Sequence, residues 1–87
     1  MSELRLRGEG LQWREVEAEI LALETEGSTY LSANRSGAVL WRRLAGGATR
    51  AELVQELVDT FQIDDATAGV DVDDFIKALR EHALLEH

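Results

Sequence analysis

Residues 29–44, with the sequence TYLSANRSGAVLWRRL, pass from an extended segment into a helix within a few positions. Tyr30 lies in the extended part, and aromatic side chains favour strands. Leu40, Trp41 and Leu44 follow at the spacing of a helix that buries one face. The stretch therefore predicts a short strand that ends directly in a helix, which leaves the edge of a strand beside a helical element.

Capping residues mark both ends of this helix, which we predict over residues 35–44. Asn34 or Ser36 caps its N-terminus, because either side-chain oxygen can accept a backbone N–H that has no partner within the helix. Gly46 and Gly47 follow its C-terminus, where glycine readily adopts the left-handed conformation that ends many helices.

The residues before this stretch predict two further strands. Apolar and polar residues alternate there, and the alternation changes phase over residues 14–17, which indicates a turn or a bulge. Residues 20–23 are apolar throughout, as in a central strand. Residues 25–28 contain a glycine and predict a hairpin loop into the third strand, Thr29–Ala33. The three strands are expected to form an antiparallel meander.

Two more helices are predicted after the glycines. Thr49 and Glu52 have the spacing of a capping box, in which each side chain accepts the other residue's backbone N–H, and an apolar stripe follows them. The third helix is predicted from about Ala66 to His82. Its alternative start lies just after Gly69, because glycine within a helix costs about 1 kcal/mol relative to alanine.

The predicted order of elements is β–β–β–α–α–α. This order indicates an α+β fold, in which a small winged-helix-like domain has a three-stranded antiparallel sheet followed by three helices. Residues 1–10 are expected to form an N-terminal arm or a short edge strand, and residues 11–87 a single domain.

The composition argues against several classes of function. The 87 residues contain no cysteine, so disulfides and thiolate metal sites are impossible. The net charge of −8 opposes binding to phosphate backbones, and we expect no nucleic-acid partner. No apolar run approaches the roughly 20 residues that span a bilayer, and the N-terminus lacks the apolar region of a signal peptide. We expect a cytoplasmic protein with no membrane partner.

The sequence contains few residues suited to catalysis. His82 and His87 are the only histidines, and neither has the partner residues that a catalytic or ligand role requires. The acidic run at residues 71–74 lacks the glycine turn and the terminal glutamate of a calcium loop. We therefore predict a protein that is not an enzyme and has no catalytic residues, metal site or cofactor.

The residues quoted at the outset resemble the PqqD-like family. That family's pattern, Y-x-L-N-x-T/S-G-x-x-x-W-x-L-x-x-G, is similar to the run formed by Tyr30-Leu31, Asn34, Ser36-Gly37-Ala38, Trp41, Leu44 and Gly46-Gly47. Asn34 lies one place later than the pattern has it. Ala83 stands where the family has a glycine before the closing leucines. The resemblance covers roughly residues 11–86.

The resemblance implies a domain that recognises peptides. In PqqD-like proteins, the leader region of a ribosomally made precursor peptide adds as a further strand beside the third strand, in the groove against the third helix. Carried over to this chain, the resemblance implies a peptide-binding site made of Ser28, Thr29, Tyr30, Leu31, Ser32, Ala33, Asp71, Asp74, Phe75 and Ala78. The carboxylates of Asp71 and Asp74 would favour a leader with a basic residue nearby.

The resemblance also implies partners. A chain of this size looks most like the recognition protein of lasso-peptide pathways, whose partners are a leader peptidase and a macrolactam-forming cyclase. The alternative within the family is a pyrroloquinoline-quinone-type peptide chaperone for a radical-SAM enzyme. From another class, the predicted fold suits a winged-helix DNA-binding regulator, which the negative charge disfavours. An open strand edge also permits a homodimer through that edge.

Overall fold

The computed structural model describes residues 3–8, 10–17, 19–24 and 29–86, with residues 24 and 29–31 described by their backbone. Three strands are followed by three helices, so the predicted α+β fold is confirmed. The elements are β1 Leu11–Val16, β2 Glu19–Glu24, β3 Thr29–Ala33, α1 Arg35–Ala45, α2 Arg50–Phe61 and α3 Asp65–Glu81.

The sheet is an antiparallel meander with the strand order β1-β2-β3. Pairing between β1 and β2 is continuous, from Leu11 opposite Glu24 to Val16 opposite Glu19. The phase change in the sequence therefore reflects the turn after β1 and not a bulge, and Glu17 in that turn has a φ of 50°. Because β2 is central, β1 and β3 each have one free edge in the described sheet.

The hydrophobic core lies on one face of the sheet. Along β2, Ile20 and Ala22 are buried, whereas Leu21 between them is 39% exposed. Helix α1 contacts β2 and β3 and buries Leu40 and Leu44 in the same core. This alternation is the one expected for an antiparallel strand whose two faces have different environments.

Local signals in the sequence set the starts of α1 and α2. The Asn34 side chain accepts a hydrogen bond from the Gly37 N–H at 3.0 Å, so Asn34 caps α1. Ser36 instead donates its hydroxyl to the same Asn34 oxygen, at 3.2 Å. The predicted capping box is also present, because Glu52 N–H donates to Thr49 at 3.2 Å and Thr49 N–H donates to Glu52 at 2.9 Å.

The third helix begins earlier than the alternative start after Gly69. It starts at Asp65, is capped by Asp64, and passes through Gly69 without interruption. A Cβ at Gly69 would lie 3.2 Å from a guanidinium nitrogen of Arg50, at the start of α2. The same guanidinium donates two hydrogen bonds to Asp73, at 2.7 and 3.0 Å. Glycine at position 69 therefore leaves room for the Arg50 guanidinium beside α3.

The N-terminal segment pairs with two distant parts of the chain. Leu4 forms a bridge with Ala48, through reciprocal N–H···O bonds of 2.7 and 2.9 Å. Leu6 forms a second bridge with Leu85 in the C-terminal tail. The neighbouring tail residue Leu84 is buried in the core. The segment therefore ties the α1–α2 turn to the C-terminal tail.

The turn between α1 and α2 depends on Gly47. Its φ is +87°, in the left-handed region that residues with a Cβ rarely adopt. A Cβ there would also lie 2.6 Å from a carboxylate oxygen of Glu3. Gly46 has no such requirement, because its φ is −90° and an added Cβ would meet the Arg43 carbonyl oxygen at an ordinary 3.8 Å.

We expect Gly47→Ala to lower the free energy of unfolding by about 1–2 kcal/mol, because alanine is strained in the left-handed region. Gly46→Ala is the matched control, and its unfolding free energy should change by less than about 0.5 kcal/mol. Urea denaturation followed by circular dichroism measures both. An unfolding midpoint of Gly47→Ala equal to that of the wild type would contradict this description of the turn.

Candidate functional site

A groove lies between β3 and α3, next to the free edge of the sheet. Its volume is about 330 Å³, which is in the range of pockets that hold small molecules or side chains. The residues that line it come from β2, β3, α1, α3 and the C-terminal tail: Ile20, Ala22, Ser32, Ala33, Asn34, Gly37, Trp41, Phe75, Ala78, Leu79, His82 and Leu84.

The groove exists because small residues occupy the positions where these elements converge. Ala22, Ala33 and Ala78 line it with side chains of a single methyl group. Gly37 has no side chain, and a Cβ there would lie 3.1 Å from the Cβ of Ala33. The end of β3 and the first turn of α1 can therefore approach closely and still leave space beside them.

The floor of the groove is apolar and buried. Ile20 of β2, Trp41 of α1 and Leu84 of the tail are each at most 3% exposed. Trp41 packs edge-to-face with Trp13 of β1, with the ring centroids 6.0 Å apart. The sequence predicted Trp41 as a core residue, and this is confirmed. Because the floor draws on three distant parts of the chain, it forms only when the whole domain is folded.

Helix α3 divides its apolar residues between the core and the groove. Val72 and Ile76 are buried in the core. Phe75, which is half-buried, and Ala78, which is exposed, line the groove. Leu79 is buried and also lines the groove. Positions three apart on a helix share a face, so the wall of the groove follows the pair at 75 and 78.

Strand β3 forms the opposite wall and presents an unpaired edge. It pairs on one side with β2, where Ala22 lies opposite Leu31. Its last two residues, Ser32 and Ala33, line the groove. Helix α3 packs chiefly against α2. Within the described sheet, the outer backbone groups of β3 are therefore free to pair with another extended segment.

Four of the ten residues predicted for the site line the groove: Ser32, Ala33, Phe75 and Ala78. Residues 29–31 precede them in β3. Ser28 lies outside the described residues. Asp71 and Asp74 are exposed on α3, one turn N-terminal to Phe75 and Ala78, and do not line the groove itself.

Sequence reasoning missed several residues of the groove. It did not assign Ile20, Leu84 or His82 to the site, because these come from elements whose relative positions only tertiary packing fixes. The small residues Ala33 and Gly37 were the one available signal. They lie four positions apart across the junction of β3 and α1, where a close approach of two elements requires small side chains.

The acidic residues at the start of α3 have different surroundings. The hydrogen bonds from Arg50 hold the pKa of Asp73 below its usual value, and this carboxylate is engaged with α2. Asp71 and Asp74 are exposed, and in the part of the chain that the structure describes they form no ion pair. They supply negative charge at the rim near the groove wall formed by α3.

The described parts of the chain contain neither a metal-binding cluster nor a membrane-spanning helix. No group of three or more histidine, aspartate or glutamate residues comes close enough there to hold a metal ion. None of the described helices has both the length and the apolar character needed to cross a membrane.

Known proteins share this fold. The model of the family described as "Coenzyme PQQ synthesis protein D (PqqD)" matches residues 19–85. The structure "TbiB1 in Complex with the TbiA(beta) Leader Peptide" is similar with a TM-score of 0.86 and 24% identity, over 94% of this chain and 94% of that chain. "Lasso peptide synthetase B1 complexed with the leader peptide" is similar with a TM-score of 0.85 and 21% identity, over 99% and 100%. No curated protein matches the chain.

Proposed function

The chain belongs to the PqqD family, and on that premise we propose that it binds the leader region of a ribosomally synthesised precursor peptide. The observation that carries this proposal is the apolar groove next to the unpaired edge of β3. The two structural neighbours, which are described as complexes with leader peptides, support it.

The peptide binds by adding a strand to β3. Its backbone pairs with the free edge, which gives affinity, and alternate side chains enter the groove, which gives specificity. The contacts come from Ser28, Thr29, Tyr30, Leu31, Ser32 and Ala33 on the strand side, and from Phe75 and Ala78 on the helix side. Because the chain contains no proline, no residue of β3 lacks a backbone donor.

Asp71 and Asp74 select the charge of the peptide. Both carboxylates are exposed and lie on α3 one turn before the groove residues. They attract a basic residue of the leader that lies beside this part of the helix, and they repel an acidic one.

Binding serves delivery and not catalysis. The chain presents the leader to the leader peptidase and the macrolactam cyclase of a lasso-peptide pathway, in the cytoplasm where the precursor is made, and it needs no cofactor. Tethering the precursor to a partner enzyme raises its local concentration without any new contact at the reacting bond.

The description of the matching family favours a second candidate. In that case the chain is a pyrroloquinoline-quinone-type peptide chaperone, and its partner is a radical-SAM enzyme. Co-purification with the enzymes encoded beside the chain separates the two candidates. A homodimer through the edge of β3 would compete with the peptide in either case, since both occupants need the same backbone groups.

We expect Ala78→Phe to weaken binding of the leader by roughly tenfold or more, because the phenyl ring fills the space that peptide side chains enter. The probe is a synthetic leader of the precursor encoded beside this chain, with the TbiA(beta) leader as a second peptide, and calorimetric titration measures the affinity. Ala66→Phe is the matched control, since Ala66 is exposed on the same helix and does not line the groove.

Two results would contradict the proposal in different ways. Full affinity of Ala78→Phe would place the peptide elsewhere on the domain. A wild-type chain that binds neither leader would contradict the function itself.

We expect the double substitution Asp71→Asn and Asp74→Asn to weaken leader binding about two- to fivefold at low salt, with a smaller loss at 0.5 M salt, because exposed ion pairs are weak and screened. Asp59→Asn on α2 is the control for a general loss of negative charge. Fluorescence anisotropy with a labelled leader measures the affinity of both variants and of the wild type. Equal affinities of the double variant and the wild type at low salt would refute charge selection at this rim.

A further inference from the structure

Trp41 carries a hydrogen-bond donor that has no acceptor among the described residues. Its indole Nε1 has less than 1 Å² of exposed surface and no hydrogen-bond partner in the part of the chain that the structure describes. The residue as a whole is 3% exposed, and it lines the groove beside β3. Buried tryptophan N–H groups usually find an acceptor, since a buried donor without one is unfavourable. An unsatisfied donor on a residue that lines a groove is a feature that native structures seldom keep without a reason.

We propose that the Trp41 indole N–H is a specificity site, and that it donates a hydrogen bond to a neutral oxygen on a side chain of the bound leader. This inference rests on the proposed function, because the acceptor belongs to a peptide added to β3. The site selects a peptide residue that has an apolar stem and ends in a hydroxyl or a carboxamide.

A peptide side chain, and not the peptide backbone, supplies this oxygen. The N–H and C=O groups of an added strand lie in the plane of the sheet, whereas alternate side chains point to each of its faces. Helix α1, which carries Trp41, packs against the face of β2 where Ile20 and Ala22 are buried. Peptide side chains that point to this face enter the groove on the side where Trp41 lies.

The surroundings favour a neutral acceptor over a carboxylate. Ile20, Ala22 and Leu84 make this part of the groove apolar, and an ionised carboxylate buried among such side chains loses more hydration than one hydrogen bond returns. None of the described lining residues is a lysine or an arginine that could pair with a carboxylate. The nearby carboxylates of α3 add negative charge, which also disfavours an acidic peptide residue.

Access to the donor requires a small rearrangement. Because almost none of Nε1 is exposed, the peptide oxygen reaches it only after side chains of the groove move. Phe75 is half-buried on the α3 wall of the groove, and a change of its side-chain rotamer is one such movement. Rotamer changes of side chains are common where a partner binds. The hydrogen bond therefore forms only in the complex, and it favours a peptide with the acceptor over an apolar isostere.

Nuclear magnetic resonance of the ¹⁵N-labelled chain reports on this bond, because the two tryptophans give two indole N–H signals. Trp13→Phe assigns the signals. The probe is the synthetic leader of the precursor encoded beside this chain. At saturation, the Trp41 indole proton should move downfield and exchange more slowly with solvent, while the exchange rate of the Trp13 indole, which is 38% exposed, should stay the same.

Trp41→Phe removes the donor and keeps an aromatic ring in the core. It should bind the leader roughly three- to tenfold more weakly than the wild type, and thermal unfolding of the variant checks that the domain remains folded. In a double-mutant cycle, hydroxyl and carboxamide residues of the leader are replaced one at a time by apolar isosteres. One replacement should weaken binding to the wild type and have little effect on binding to Trp41→Phe.

The outcomes separate this site from the proposed function. Leader binding with no change at the Trp41 indole, or an equal effect of every peptide replacement on both proteins, would overturn the hydrogen-bond site and leave leader binding in place. Absence of leader binding by the wild type would overturn both. If Trp41→Phe does not fold, the response of the wild-type Trp41 indole signal to the leader decides whether the hydrogen bond forms.

Discussion

The packing of α1 against β2 is the contact on which the rest of the structure depends. It places Leu40, Trp41 and Leu44 of the helix in one core with Ile20 of the strand. A tryptophan buries on the order of 200 Å² of surface. This is a large share of the buried apolar surface in a domain of this size, because the core of a small domain is small. Since α1 follows β3 directly, the same contact fixes β3 at the edge of the sheet. Helix α3 packs on α2 instead, and the groove is the space that remains.

An apolar groove beside an open strand edge is normally a liability, because such edges pair with other chains. The net charge of −8 opposes self-association of this protein through general repulsion. The two edges of the sheet also differ. At β1, Glu15 forms an ion pair with Arg42 of α1 at 3.3 Å, whereas the end of β3 carries the small residues Ser32 and Ala33 beside the groove. Under the proposed function, the β3 edge is the one that pairs with an extended peptide.

The sequence predicted the features that depend on neighbouring residues, and missed those that depend on distant ones. The cap at Asn34 was predictable because a cap joins residues three positions apart. The third helix was predicted from about Ala66, and it does run through Gly69. The surroundings of that glycine were not predictable, since the Arg50 side chain beside it comes from another helix. The resemblance pointed to residues of β3 and α3, which form the strand wall and the helix wall of the groove. It did not point to the floor, because the floor brings together Trp41 and Leu84, which are far apart in the sequence.

Amide hydrogen exchange along the two edge strands, with and without the leader peptide, tests strand addition most directly. Alternate amides of β3, Thr29–Ala33, should exchange roughly tenfold more slowly or better when the leader is saturating, because their N–H groups become hydrogen-bonded. The amides of β1, Leu11–Val16, should exchange as before. Protection along β1, or unchanged exchange along β3 while the leader is bound, would contradict the assignment of the β3 edge as the peptide-binding site.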